Sequence, residues 1–217
     1  MTRDLSEQWP VVPERPTDNA VNLVAFGDPA FLHRVFARQI QDFGDTGGRS
    51  TRMADYDMKA VVRWLDVLDQ LDSLSQYQIA MAMSYFSFTP QTDDLRRLID
   101  YTSRAVLAAP KNRIQWLREA IVIADRRIRD PKLAMALADQ LAASDEPGLN
   151  ILAYQLSPLL RARNGDLTGA LAAMQHALSK VRSDTPQNEI DFMMQFIADT
   201  EKKLAEEAAA AQSGVAP

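Results

Sequence analysis

The residues with the most chemical potential lie between Phe43 and Thr51. There Phe43-Gly44-Asp45-Thr46-Gly47-Gly48-Arg49-Ser50-Thr51 gathers three glycines, several hydroxyl groups and an arginine. Such a composition suits phosphate, because glycines let backbone N–H groups converge on an anion at the start of a helix. A phosphate loop also needs a lysine beside a serine or threonine at fixed spacing. This stretch has neither, and the Asp45 carboxylate would repel phosphate oxygens. The segment reads as a connection between two helices, with Gly44 closing the first and Gly47-Gly48 allowing positive φ. The competing reading is an anion site built on Arg49, Ser50, Thr51 and Arg52.

Other chemistry is sparse. The only histidines, His33 and His176, lie far apart in sequence, and the chain has no cysteine, which removes thiolate metal sites, thiol nucleophiles and disulfides together. Asp55-Tyr56-Asp57 has the Asp-x-Asp form of a metal ligand pair, but Asp57 already serves as the cap of a following helix. No metal or cofactor is expected, and neither a nucleophile elbow nor a kinase or dinucleotide motif occurs. The reading is therefore not an enzyme.

These residues must be positioned by helices. At 217 residues the chain is long enough to bury a core without staples, and its net charge of -5 does not suggest a polyanionic partner such as nucleic acid. No apolar run approaches the roughly 20 residues that span a bilayer, and the first residues lack the apolar core of a signal peptide. The chain as written reads as cytoplasmic, or as periplasmic or membrane-anchored if an upstream leader has been removed.

Residues 1–20 carry Pro10, Pro13 and Pro16 and read as a flexible leader in which Trp9 docks. Residues 21–207 form one domain. Beyond them, the alanine run 208–211 extends a helix by propensity alone, and 208–217 is expected to be a disordered tail. Within the domain, apolar periodicity predicts helices at 29–43, 57–71, 75–88, 93–108, 112–128, 131–143, 149–163, 167–182 and 187–207. Pro158 should kink the helix that contains it.

A 36-residue step connects three of these helices. Asp94, Asp130 and Asp166 open them, and the interior follows in register: Leu98, Ala134, Ala170; Thr102, Ala138, Met174; Ala105, Leu141, Ala177. A period in the mid-thirties belongs to helix-turn-helix units, each leaving apolar surface that its neighbour covers. The run Arg163-Asn164-Gly165-Asp166-Leu167-Thr168-Gly169-Ala170-Leu171-Ala172-Ala173-Met174-Gln175-His176-Ala177-Leu178 resembles the turn and second helix of a tetratricopeptide (TPR) repeat. Gly165-Asp166 match the turn, and Ala170 and Ala177 match the two small positions. Residues 130–141 look like a looser copy, and Tyr101 to Pro110 like the end of another. Pro158 departs from the family glycine, and the Trp-Leu-Gly-Tyr pattern is absent.

The expected fold is thus all-α, a short right-handed α-solenoid of about four helical hairpins with a C-terminal capping helix. The resemblance implies a scaffold that binds a protein or peptide partner on the solenoid surface. The residues expected to contact it are Tyr77, Tyr85, Arg97, Arg113 and Trp116. The basic run from Arg96 to Lys132 reads either as solvated helix faces or as a docking patch for an acidic partner. Two alternatives remain open: an assembly subunit of a larger, membrane-associated complex, docked by its proline-rich leader, and an anion-binding regulator using residues 44–52.

Overall fold

The structure is a computed structural model that describes residues 10–25, 27–46, 49–110, 112–144 and 149–212. It is all-helical apart from one two-residue ladder. In chain order the helices are α1 (Asp18–Val24), α2 (Pro29–Gln41), α3 (Met58–Leu71), α4 (Tyr77–Ser84), α5 (Thr92–Ala108), α6 (Gln115–Val122), α7 (Pro131–Ala143), α8 (Ile151–Arg163), α9 (Leu167–Ser179) and α10 (Gln187–Gln212). The ladder pairs β1 (Asp45–Thr46) with β2 (Arg49–Ser50), antiparallel. No helix among the described residues is long and apolar enough to cross a membrane.

Aspartates and an asparagine start many of these helices. The Asp28 carboxylate accepts from the Phe31 N–H at 2.9 Å, with Pro29 next in the first helical position. Asp57 accepts from Lys59 and Ala60, Asp130 from Leu133, Asn150 from Leu152, and Asp166 from Gly169. Each satisfies a backbone donor that the helix cannot. Asp94 differs from the other two aspartates of the 36-residue series. It lies inside the first turn of α5, whose cap position is Gln91.

The contacts divide into two compact units, one ending at Trp116 and the other beginning at Leu117, where the sequence suggests one domain over 21–207. In the first unit, α3 is central. Val61, Trp64, Leu65, Val67 and Leu68 are all buried, and α2, α4 and α5 each pack on this helix. The Trp64 ring takes the edges of Phe36 and Phe43 at centroid distances of 5.3 and 5.5 Å. Helix α3 thus touches α5 as well as its immediate neighbours in the chain.

Two expectations about the ends need correction. The described part of the leader, 10–17, is extended but not free. Val12 is buried, and the Pro13 carbonyl accepts a hydrogen bond of 2.8 Å from the Trp64 indole N–H, which would otherwise be orphaned against the core. Residues 18–24 then form α1, capped by Thr17. At the other end, α10 continues through Gln212, so 208–212 are helical rather than tail, as an alanine run favours. Met1 to Trp9, and with them the expected docking of Trp9, lie outside the described residues.

In the second unit α7 packs on the π-helical turn over Ile123–Ile128, and α8, α9 and α10 each pack on the helix before. Ile151, Tyr154, Met174, Ala177 and Met193 form a buried cluster joined by Phe196 and Ile197. The α8–α9 turn uses Gly165 at φ +82°, with Asp166 N–H bonding back to the Arg161 carbonyl at 3.0 Å and Gly165 N–H to Ala162 at 3.1 Å. That pair closes a Schellman turn. Helix α8 runs through Pro158 without interruption. The expected helix 112–128 is composite: α6 passes into a π-helical turn over Ile123–Ile128, which ends at Arg129 in the left-handed region.

Candidate functional site

In the first unit, α3 presents two faces. Its apolar face enters the core, while Arg63, Asp66 and Gln70 form a polar stripe that Ser73 continues just past the end of the helix. This stripe faces Arg104, Ala105 and Ala108 of α5 across an open cleft of about 590 Å³, with Arg15 at its edge and Arg113 at its floor. The volume falls in the range of ligand sites. The short side chains of Ala105 and Ala108 leave the space open.

The floor is a buried polar network centred on Asp69. Its Oδ1 accepts from Gln78 Nε2 at 2.8 Å and from the Arg113 guanidinium, and its Oδ2 accepts from the Tyr101 hydroxyl at 2.6 Å. Arg113, which is 1% exposed, also donates to the carbonyls of Ser73 at 2.6 Å and Ala105 at 3.1 Å. Gln78 reaches further, to the Asp72 carbonyl at 3.0 Å, and its Oε1 lies 3.3 Å from His33 Nε2. A buried charge is tolerable only when paired and hydrogen-bonded in this way. Burial, reinforced by the neighbouring Asp69 carboxylate, pushes the Tyr101 hydroxyl well above its ordinary range. Burial also raises the Asp66 carboxyl, an effect that Arg104, 3.5 Å away, partly offsets.

The five expected contact residues do not converge. Arg113 lines this cleft but from below, buried, so it is not part of an exposed basic face. Tyr77 lines a second cleft, of about 430 Å³, beside His33 and Arg34; its hydroxyl donates to the Ala37 carbonyl at 2.8 Å. Tyr85 caps the end of α4, its ring against Phe86 at 5.1 Å, and Arg97 is exposed on α5. Trp116 is half-buried in the first turn of α6. The last three line neither cleft.

The glycine-rich stretch connects α2 to α3. Gly44 has φ +77°, and a Cβ there would lie 2.2 Å from the Tyr56 hydroxyl, which itself donates to the Phe43 carbonyl at 2.5 Å. Glycine is thus required by a close approach as well as by φ. Arg52 is committed to a two-pronged pair with Asp55 at 2.9 and 3.1 Å, and Ser50 is exposed. Gly47 and Gly48 lie outside the described residues, as does the side chain of Arg49.

In the second unit a cleft of about 440 Å³ is walled by Ala142, Ala143, Ala172 and Ala173, with Tyr154, Ser157 and Arg161 of α8 facing it. Arg161 donates to Asp139 and to Asp166, each at 2.6 Å, tying α8 to α7 and to the cap of α9. Ser157 donates to Asp139 at 2.5 Å, and His176 meets the Tyr154 ring at 6.4 Å. Among the described residues no group of three His, Asp or Glu side chains could hold a metal ion.

Sequence reasoning missed Asp69, Tyr101, Gln78 and the Arg63 to Ser73 stripe. A signal was present: Asp66 and Asp69 stand three positions apart in a helix that also carries Val61, Trp64, Leu65 and Leu68. No family model, no curated protein and no solved structure matches this chain.

Proposed function

We propose that this chain is a non-enzymatic interaction scaffold, built from TPR-like hairpins stacked as a short solenoid, that holds a segment of a partner protein against its helices. The observation that carries the reading is the common inward face of the 36-residue series. Leu98, Thr102 and Ala105 of α5, Ala134, Ala138 and Leu141 of α7, and Ala170, Met174 and Ala177 of α9 are all buried. Three helices spaced by one period thus bury the same register positions, as repeats that cover one another do. The α3–α5 cleft is the surface best suited to a partner, because its floor is preorganised by the Asp69 network and a bound segment would bear most of the ordering cost.

Affinity capture with the full chain from its native cells, quantified by mass spectrometry against a heat-denatured control, tests this. The reading expects a protein enriched with the folded chain alone. A chain that instead retains no protein but is stabilised by nucleotides or phosphorylated metabolites in a thermal-shift screen belongs to the anion-regulator reading. The docking-arm alternative is weakened for residues 12 and 13, because Val12 and Pro13 are already engaged by the chain's own α3.

A further inference from the structure

We propose that the α3–α5 cleft recognises an acidic peptide segment, with Arg63, Arg104 and Arg15 as its carboxylate-binding groups. The inference rests on the scaffold reading and names the chemistry of its partner. Four guanidinium groups line the cleft against two carboxylates. Arg113 and Asp69 neutralise each other at the floor, with the remaining Asp69 capacity taken by Tyr101 and Gln78. That pair is structural and contributes no net field.

The cations above the floor are less committed. Arg15 pairs with Asp18 at 2.6 Å across an exposed edge, and Arg104 is shared between Asp66 at 3.5 Å and Asp100 at 3.2 Å. Arg63 is exposed and makes no hydrogen bond or ion pair among the described residues. The three side chains come from the extended segment before α1, from α3 and from α5, so they converge on the cleft from separate elements. Exposed pairs such as Arg15–Asp18 contribute little and exchange readily. A guanidinium offers two parallel donors matched to a carboxylate, and a cleft with low-dielectric walls concentrates the field of its cations. Ala105 and Ala108 leave room for backbone to enter between the charges.

A fluorescein-labelled hexaglutamate peptide titrated by anisotropy against the full chain at low ionic strength tests the assignment, with a Gly-Ser peptide and inorganic pyrophosphate as comparison probes. Arg63→Glu reverses an exposed charge on a surface helix face, and circular dichroism checks that the fold is kept. Arg182→Glu, in the other unit, makes the same change in net charge and controls for it. The expected result is saturable binding of hexaglutamate, weakened at least about tenfold by Arg63→Glu and less than about twofold by Arg182→Glu, with no binding of the Gly-Ser peptide. Hexaglutamate binding no tighter than Gly-Ser, equal binding by Arg63→Glu, or pyrophosphate binding without peptide binding would each overturn it. A native partner retained equally by the parent chain and Arg63→Glu overturns the cleft assignment while leaving the scaffold reading standing.

Discussion

Replacing Arg113 by methionine keeps an unbranched, apolar stem but removes the guanidinium, leaving Asp69 without its ion-pair partner. The Arg113 side chain is 1% exposed and that of Asp69 18%, so solvent screens the pair weakly. Breaking such a pair from one side costs about 3–5 kcal/mol, since the surviving charge stays buried and uncompensated. Arg113→Met also orphans the carbonyls of Ser73 and Ala105. Asp69→Leu strands the guanidinium instead, together with Gln78 and Tyr101. The double variant replaces both charges by apolar groups, so its loss should be well below the sum of the two, a coupling of about 2–3 kcal/mol. The chain's tryptophans, Trp9, Trp64 and Trp116, all precede Leu117, so indole fluorescence in urea follows the first unit. With an m-value of about 2 kcal/mol per M, either single variant should lower the midpoint by about 1.5–2.5 M. Single losses below about 1 kcal/mol, or a double variant whose loss is additive, would refute the claim that this network holds α3, α5 and the 112–114 turn together.

Three further outcomes follow from the same geometry. Trp64→Phe leaves the Pro13 carbonyl without its donor; a loss of about 1 kcal/mol is expected, together with faster proteolysis within 10–17, read by timed digestion. Gly44→Ala combines φ +77° with a Cβ 2.2 Å from the Tyr56 hydroxyl, and should cost more than about 1 kcal/mol by urea unfolding, with Tyr56→Phe restoring only part because the backbone strain remains. The folded chain holds the Tyr101 hydroxyl above its ordinary value of 10.0, so the neutral form is favoured in the fold. That contribution is complete below about pH 10 and is lost as pH rises from there toward the folded value. Tyr101→Phe should flatten part of the alkaline loss of stability; Tyr56, raised to about 12 chiefly by burial, supplies another part.

The helices were legible because their starts are written locally. An aspartate before Pro29 or Pro131 caps and opens a helix whatever surrounds it, and the alanines of α7 and α9 mark close approach by their size. Gly44 was legible for φ, although its contact with Tyr56 depends on a turn that brings residue 56 back onto residue 44. The cleft was not legible. Asp69, Tyr101 and Arg113 are separated by 32 and 44 residues from their partner and share no motif, so only the packing of α3 on α5 brings them together. Arg113 illustrates the difficulty: inside a basic run it reads as surface charge, yet the turn at Asn112, with φ 62°, sends it inward. Pro13 reads as part of a flexible leader because nothing local reveals that a tryptophan fifty-one positions later needs its carbonyl.

The central claim, that the α3–α5 face holds a partner protein, is tested most directly by photo-crosslinking in native cells. A benzophenone amino acid is placed at Gln70, which lines the cleft, and in a separate chain at Lys202 on α10. The account predicts one discrete protein adduct at position 70, diminished by Arg63→Glu, and none of the same mass at position 202. No adduct at 70, or the same adduct at both positions, would contradict it.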